Sequence, residues 1–140
     1  MKFPVFFLLL LAQHCQSTWT NEILTIKSGM CLGDCPVYSL KLESDGHFFF
    51  TLARNKTTKQ GKLNPKEKRE LHDLFTSIDF KHLKEQYGNP QIRDLPKITI
   101  TFGNSKTGFV GRSSAPKPLL KLIKWADRLH YKYLNPNDLK

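Results

Sequence analysis

The segment from residue 37 to residue 52 constrains the fold most strongly. Two runs in which apolar and polar residues alternate, 37–42 and 47–52, are separated by Ser44-Asp45-Gly46. Asp-Gly between alternating runs is typical of a tight β-hairpin, because its turn positions favour a positive φ. The alternation predicts that one face of the hairpin packs on a core while the other meets solvent. The chain therefore contains an antiparallel sheet.

Further strands are predicted on both sides of this hairpin. They share period-two alternation or enrichment in β-branched residues, and they are 21–28, 58–63, 97–102 and 106–110. The last two form a second hairpin around Gly103-Asn104-Ser105. Glycine and proline interrupt the stretches 28–36 and 89–96, which are predicted to be loops.

Two amphipathic helices are predicted. The first begins with Asn64 as N-cap and Pro65 at the first helical position, and Glu67 completes a capping box. It ends at Ser77, after which Asp79 is expected to cap a short turn that ends near residue 88. The second helix spans 116–133. Its apolar positions fall on one face and are Leu119, Leu122, Ile123, Ala126, Leu129 and Tyr133.

The order of these elements predicts the fold class. Strands, a helix, two strands and a helix follow one another without βαβ alternation. We therefore predict an α+β fold: an antiparallel sheet of about five to six strands with two main helices packed on one face.

The first 17 residues have the form of a secretory or lipoprotein signal. Lys2 precedes the apolar run from Val5 to Ala12, which is shorter than the roughly 18 to 20 residues of a spanning helix. Two processing routes are open: lipidation of Cys15, or cleavage after Ser17. Both leave 18–140 as a single α+β domain outside the cytoplasm, in the periplasm, on the cell surface or secreted. Loss of Lys2 changes the net charge from +10 to +9.

Cys31 and Cys35 remain as a pair in the mature domain. Gly33 between them and Pro36 after them allow a tight turn that brings the two Cα atoms within the roughly 4.4 to 6.8 Å of a disulfide. An even pair in an exported chain favours such a bond, here a staple across a small loop.

Two alternatives use the same sulfur atoms. A redox pair normally has the spacing C-x-x-C at the start of a helix, whereas here the spacing is longer and a strand follows. A metal site would need two more ligands, such as His47 with Asp34 or His82.

The run Cys31-Leu32-Gly33-Asp34-Cys35-Pro36-Val37-Tyr38, followed by Asp45-Gly46, resembles the opening of a bacterial family known as domain of unknown function 6438. The family pattern is C-x-G-x-C-P-x-Y, an Asp-Gly hairpin, a glycine after the next strand and two later helices. Additional matching positions are Gly61, Phe80, Tyr87, Pro118, Leu119, Leu122 and Asp127. The resemblance spans about residues 23–130 and implies a small secreted protein or lipoprotein. It identifies Gly33, Pro36 and Tyr38 as residues of the motif loop and implies no catalytic activity.

The second helix carries a stripe of cations, which we call the basic stripe: Lys117, Lys121, Lys124, Arg128 and Lys132. At 3.6 residues per turn they fall within an arc of about 80° opposite the apolar face. Like charges four residues apart repel one another weakly. The stripe is either an ordinary solvated face or a surface for anionic phospholipid or acidic envelope polysaccharide. Nucleic acid is not expected as a partner of an exported protein.

No catalytic or cofactor motif accompanies these features. The sequence contains no phosphate-binding glycine loop, no H-E-x-x-H and no G-x-S-x-G. We predict a non-enzymatic binding or structural domain of the cell envelope, without cofactor or metal. The alternative is a thiol-redox or metal-binding protein that uses Cys31 and Cys35.

Overall fold

The computed structural model describes residues 22–53 and 56–134, and the predicted signal segment with Cys15 lies outside them. The strands are β1 (Glu22–Ser28), β2 (Tyr38–Glu43), β3 (His47–Leu52), β4 (Thr58–Lys62), β5 (Gln86–Tyr87), β6 (Lys97–Phe102) and β7 (Ser105–Val110). The helices are α1 (Pro65–Ser77) and α2 (Lys117–Tyr133), and Phe80–His82 and Arg112–Ser114 are short 3₁₀ helices. The α+β prediction and both hairpins are confirmed.

The sheet differs from the prediction in one strand. Its order is β4-β3-β2-β1-β6-β7-β5, and the edge strand β5 runs parallel to β7. The predicted five to six strands are therefore approximately right, but the sheet has seven strands and is mixed rather than wholly antiparallel. A two-residue strand is too short to show alternation in the sequence. It is held through tertiary contacts, in which the Gly108 N–H and the Thr107 hydroxyl donate to the carbonyls of Glu85 and Lys84 at 2.8 and 2.7 Å.

One face of the sheet forms the core with the two helices. Its most deeply buried inward side chains are at most 1% exposed and are Leu24, Ile26, Leu40, Leu42, Phe48, Phe50, Ile98, Ile100 and Phe109. The ring of Tyr133 in α2 contacts Phe48, and Phe75 of α1 contacts Phe102, with centroids 4.8 and 4.7 Å apart. The alternate strand positions point to the other face, where the exposed lysines are Lys27, Lys41, Lys62, Lys97 and Lys106.

Helix α1 begins as its sequence predicts. Asn64 accepts a hydrogen bond from the Glu67 N–H, and the Glu67 carboxylate accepts one from the Asn64 N–H, both at 2.9 Å. This capping box satisfies donors that an uncapped helix start leaves open. Asp79 occupies the N-cap position of the short turn Phe80–His82 as predicted, but its side chain forms no capping hydrogen bond, and its carboxylate contacts His82 Nδ1 at 2.6 Å.

The buried face of helix α2 is wider than the face predicted from its apolar positions. Trp125 and His130 join that face and are 1% and 2% exposed. Among residues 22–53 and 56–134, no helix has the length and apolar character needed to cross a membrane.

Candidate functional site

The cysteine loop, residues 29–37, joins the central strands β1 and β2. Cys31 and Cys35 form a disulfide with their Cα atoms 6.2 Å apart. Gly33 at the turn has a φ of 120°, a conformation that side-chain-bearing residues rarely adopt. The Ser28 hydroxyl donates to the Pro36 carbonyl at 2.7 Å and closes the base of the loop. The predicted disulfide is thus present in the structure.

Backbone hydrogen bonds hold this loop against the loop 89–96. The Leu32 N–H donates to the Asp94 carbonyl at 3.1 Å, and the Gly29 N–H donates to the Lys97 carbonyl at 2.9 Å. Four large apolar side chains of these loops are exposed: Met30 (79%), Leu32 (80%), Ile92 (42%) and Leu95 (39%). We call these four residues the apolar knuckle. Among the described residues, Tyr131 is the only other large hydrophobic side chain exposed to this degree.

Tyr38, the last residue of the cysteine motif, anchors the loop to α2. It is 2% exposed, and its hydroxyl donates to Asp127 Oδ1 at 2.9 Å. Asp127 Oδ2 accepts from the Arg112 guanidinium. Burial, followed by the charge of Asp127, raises the pKa of Tyr38 well above its usual range. Tyr38 therefore stays protonated and acts as a hydrogen-bond donor.

His130 lies beneath this network. Its ring stacks on Tyr38 with centroids 4.9 Å apart, and its Nδ1 is buried without a hydrogen-bond partner among the described residues. Burial lowers the pKa of His130, although the nearby Asp127 carboxylate opposes the shift. The imidazole is consequently neutral near pH 7 and serves as a packing group.

The cysteines, Tyr38, Arg112 and Asp127 each have a bonding partner that stabilises the loop. The sulfurs are bonded to each other, Tyr38 is held protonated, and Arg112 and Asp127 neutralise one another. Although burial alone would lower it, the Asp127 contact raises the pKa of Arg112, so the guanidinium stays charged. Around the cysteine loop, the exposed apolar surface is the apolar knuckle.

The two histidines suggested as metal ligands pair with carboxylates, His47 with Asp45 and His82 with Asp79. His47 lies beside Glu43 and Asp45, with one ligand atom of each within 4.8 Å of the others. Hydrogen bonds from the His47 N–H and ring lower the pKa of Asp45. His82 is paired with Asp79 instead. The cysteine sulfurs, being bonded to each other, are not available as thiolate ligands.

All five cations of the basic stripe are exposed, but two of them are paired with α1. Arg128 contacts Glu70 at 3.0 Å, and Lys132 contacts Glu67 at 2.6 Å. The acidic face of α1 thus offsets part of the repulsion expected along α2. Lys117, Lys121 and Lys124 form no ion pair with the residues that the structure describes.

Several site residues were not identified from the sequence. Asp127 was recognised only as a matching position of the closing helix, and its bond to Tyr38, 89 residues away, had no local signal. Arg112 has no signal in the sequence either. Trp125 was detectable, because it lies three residues after Leu122 and four before Leu129 on the apolar face.

Comparison with known proteins places the chain in a family. A family model described as Domain of unknown function (DUF6438) matches residues 22–130, well over half of the chain. No curated protein matches the chain significantly. The chain belongs to the DUF6438 family, and the match includes both the cysteine loop and the Asp127 network.

Proposed function

We propose that this DUF6438 member is an exported, non-enzymatic binding domain of a bacterial cell envelope that docks on a membrane surface through the apolar knuckle. Export rests on the signal-like residues 1–17 and agrees with a disulfide, which is stable in an oxidising compartment. Either lipidation of Cys15 or cleavage after Ser17 delivers the domain.

The observation that carries the proposal is the exposure of Met30 and Leu32 inside a disulfide-braced loop. Apolar patches on soluble domains mark interaction surfaces, and a loop already ordered loses less conformational entropy on binding. Arg93 and Lys97 are exposed and lie within two residues of Leu95 in the chain, and Lys27 is exposed near the end of β1. Since Asp34 and Asp94 lie in the same loops, most of the attraction to anionic lipid comes from the charge of the whole domain.

Vesicle flotation tests membrane docking. The oxidised mature protein is mixed with vesicles of phosphatidylcholine containing about a third phosphatidylglycerol, an anionic lipid. Replacing Met30 and Leu32 together by serine is expected to lower the bound fraction at least about ten-fold, because two large side chains lose their burial in lipid. Tyr131→Ser is the matched control, since it removes a 57% exposed ring outside the knuckle.

Undiminished flotation of the Met30→Ser, Leu32→Ser protein would exclude the apolar knuckle as the membrane-docking surface. Binding that instead disappears in salt and requires Lys117, Lys121 and Lys124 would assign the membrane contact to the basic stripe. For delivery, a fatty-acid label that is incorporated by the wild type and lost in Cys15→Ser would establish lipidation. A mature N-terminus at Thr18 would establish cleavage.

The cysteine pair supports a second candidate, thiol-disulfide exchange. In that reaction the Cys31–Cys35 disulfide accepts two electrons and two protons from a partner dithiol, which becomes a disulfide. Equilibration with glutathione, read by mass spectrometry of alkylated thiols, separates the two functions. A disulfide that resists reduction supports the structural staple, whereas a pair that is readily reduced and reoxidised supports exchange.

A further inference from the structure

A groove of about 410 Å³ lies between α1 and α2. Its volume falls within the range of small-molecule sites. Leu74 contributes from α1, and Lys121, Lys124 and Trp125 contribute from α2. A second cavity of about 240 Å³ shares Trp125 with it and extends towards the N-terminus of α1. The groove lies on the helical side of the domain, away from the cysteine loop.

Trp125 lines this groove, and its indole N–H has no acceptor among the described residues. Its side chain is 1% exposed, and Nε1 is buried with no hydrogen-bond acceptor among the residues that the structure describes. A buried N–H without an acceptor costs free energy, which an oxygen atom placed against it recovers. Because Nε1 has almost no exposed surface, a ligand reaches it only by parting the side chains above it.

The charges around the groove favour an anion. Arg128 and Glu70 neutralise one another across it at 3.0 Å. The remaining lining charges are Lys121 and Lys124 on α2 and Asp73 on α1, an excess of positive charge. Lys121 and Lys124 are exposed, and neither forms an ion pair within the described part of the chain.

We propose that this groove binds a small organic carboxylate with an apolar body. The carboxylate contacts the ammonium groups of Lys121 and Lys124, the apolar body lies on Leu74 and Trp125, and one oxygen accepts from the Trp125 indole. The site is independent of the membrane-docking surface, so either proposal stands if the other fails.

Amide NMR of the oxidised mature protein, titrated with phenylbutyrate, tests the site. The indole N–H resonance of Trp125, identified by its loss in Trp125→Phe, is expected to shift saturably. Replacing Lys121 and Lys124 by glutamine is expected to weaken binding about ten-fold, as is replacing the probe by its uncharged amide. Trp125→Phe retains the apolar surface but loses the donor and should weaken binding several-fold.

Lys117→Gln is the matched control, because Lys117 lies on the same helix but does not line the groove. Equal weakening by Lys117→Gln would show a diffuse charge effect and overturn the site. A Trp125 resonance that does not move at millimolar phenylbutyrate would overturn it as well. The lysine substitutions are on exposed positions, so the test stands even if Trp125→Phe fails to fold.

Discussion

Removal of the Asp127 carboxylate is predicted to destabilise the domain more than removal of either of its partners. Tyr38→Phe deletes one hydrogen bond to a charged group, which costs about 1.5–3 kcal/mol. Asp127→Ala leaves a buried hydroxyl and a partly buried guanidinium without their acceptor. Breaking such a pair costs about 3–5 kcal/mol, and the lower end applies because Arg112 retains partial exposure to water.

Urea unfolding of the oxidised protein, followed by circular dichroism, measures these losses. The double variant Tyr38→Phe, Asp127→Ala should be only slightly less stable than Asp127→Ala alone, with about 1–3 kcal/mol of non-additivity. Strictly additive losses would mean that Tyr38 and Asp127 do not interact, and the account of the loop's anchor would then be wrong. Lys121→Ala, at an exposed position of the same helix, is the control.

Three further predictions concern the packing around this site. Glu67→Gln should lower the free energy of unfolding by about 1–2 kcal/mol at pH 7. Burial alone would raise the pKa of Glu67, but hydrogen bonds from Lys132 and the Asn64 N–H lower it. The stabilisation is therefore present above the unfolded value of 4.5 and is lost on acidification, where wild type and variant should converge in urea titrations. Burial lowers the pKa of His130 below its unfolded value of 6.5, so wild-type stability falls as the pH drops below that value. His130→Phe should flatten this slope below pH 6.5, and an unchanged slope would mean that another group titrates. Gly61→Ala should lower the free energy of unfolding by about 1–3 kcal/mol, and with it the melting temperature, because a Cβ at this position overlaps the Phe48 ring. Gln60→Ala, a substitution at the exposed neighbouring residue, should change the melting temperature little.

The parts of the fold that follow from neighbouring residues were predictable. The Asp-Gly hairpin, the capping box of Asn64 and Glu67, and the apolar face of α2 each depend on residues within one turn or one strand pair. The bounds of α1 agree with the prediction, and those of α2 differ by one residue.

The parts that depend on tertiary contacts were not predictable. Strand β5 exists because the Thr107 hydroxyl and the Gly108 N–H bind the backbone before it. Arg128 and Lys132 of the basic stripe form ion pairs with carboxylates of α1. These pairs were not predictable, because no local sequence pattern fixes the position of α1 relative to α2. The same long-range packing created the groove above Trp125.

Some residues of the cysteine motif fix the loop backbone, whereas others expose their side chains. Cys31 and Cys35 bond to each other, Gly33 adopts the positive φ of the turn, and Tyr38 is buried against Asp127. These residues leave the backbone little freedom, yet Leu32, lying between them, is 80% exposed. A packing role for Leu32 would have buried it, whereas the proposed docking role requires this exposure. Replacing Leu32 should therefore change what the loop contacts while leaving stability nearly unchanged, and replacing Tyr38 should do the reverse.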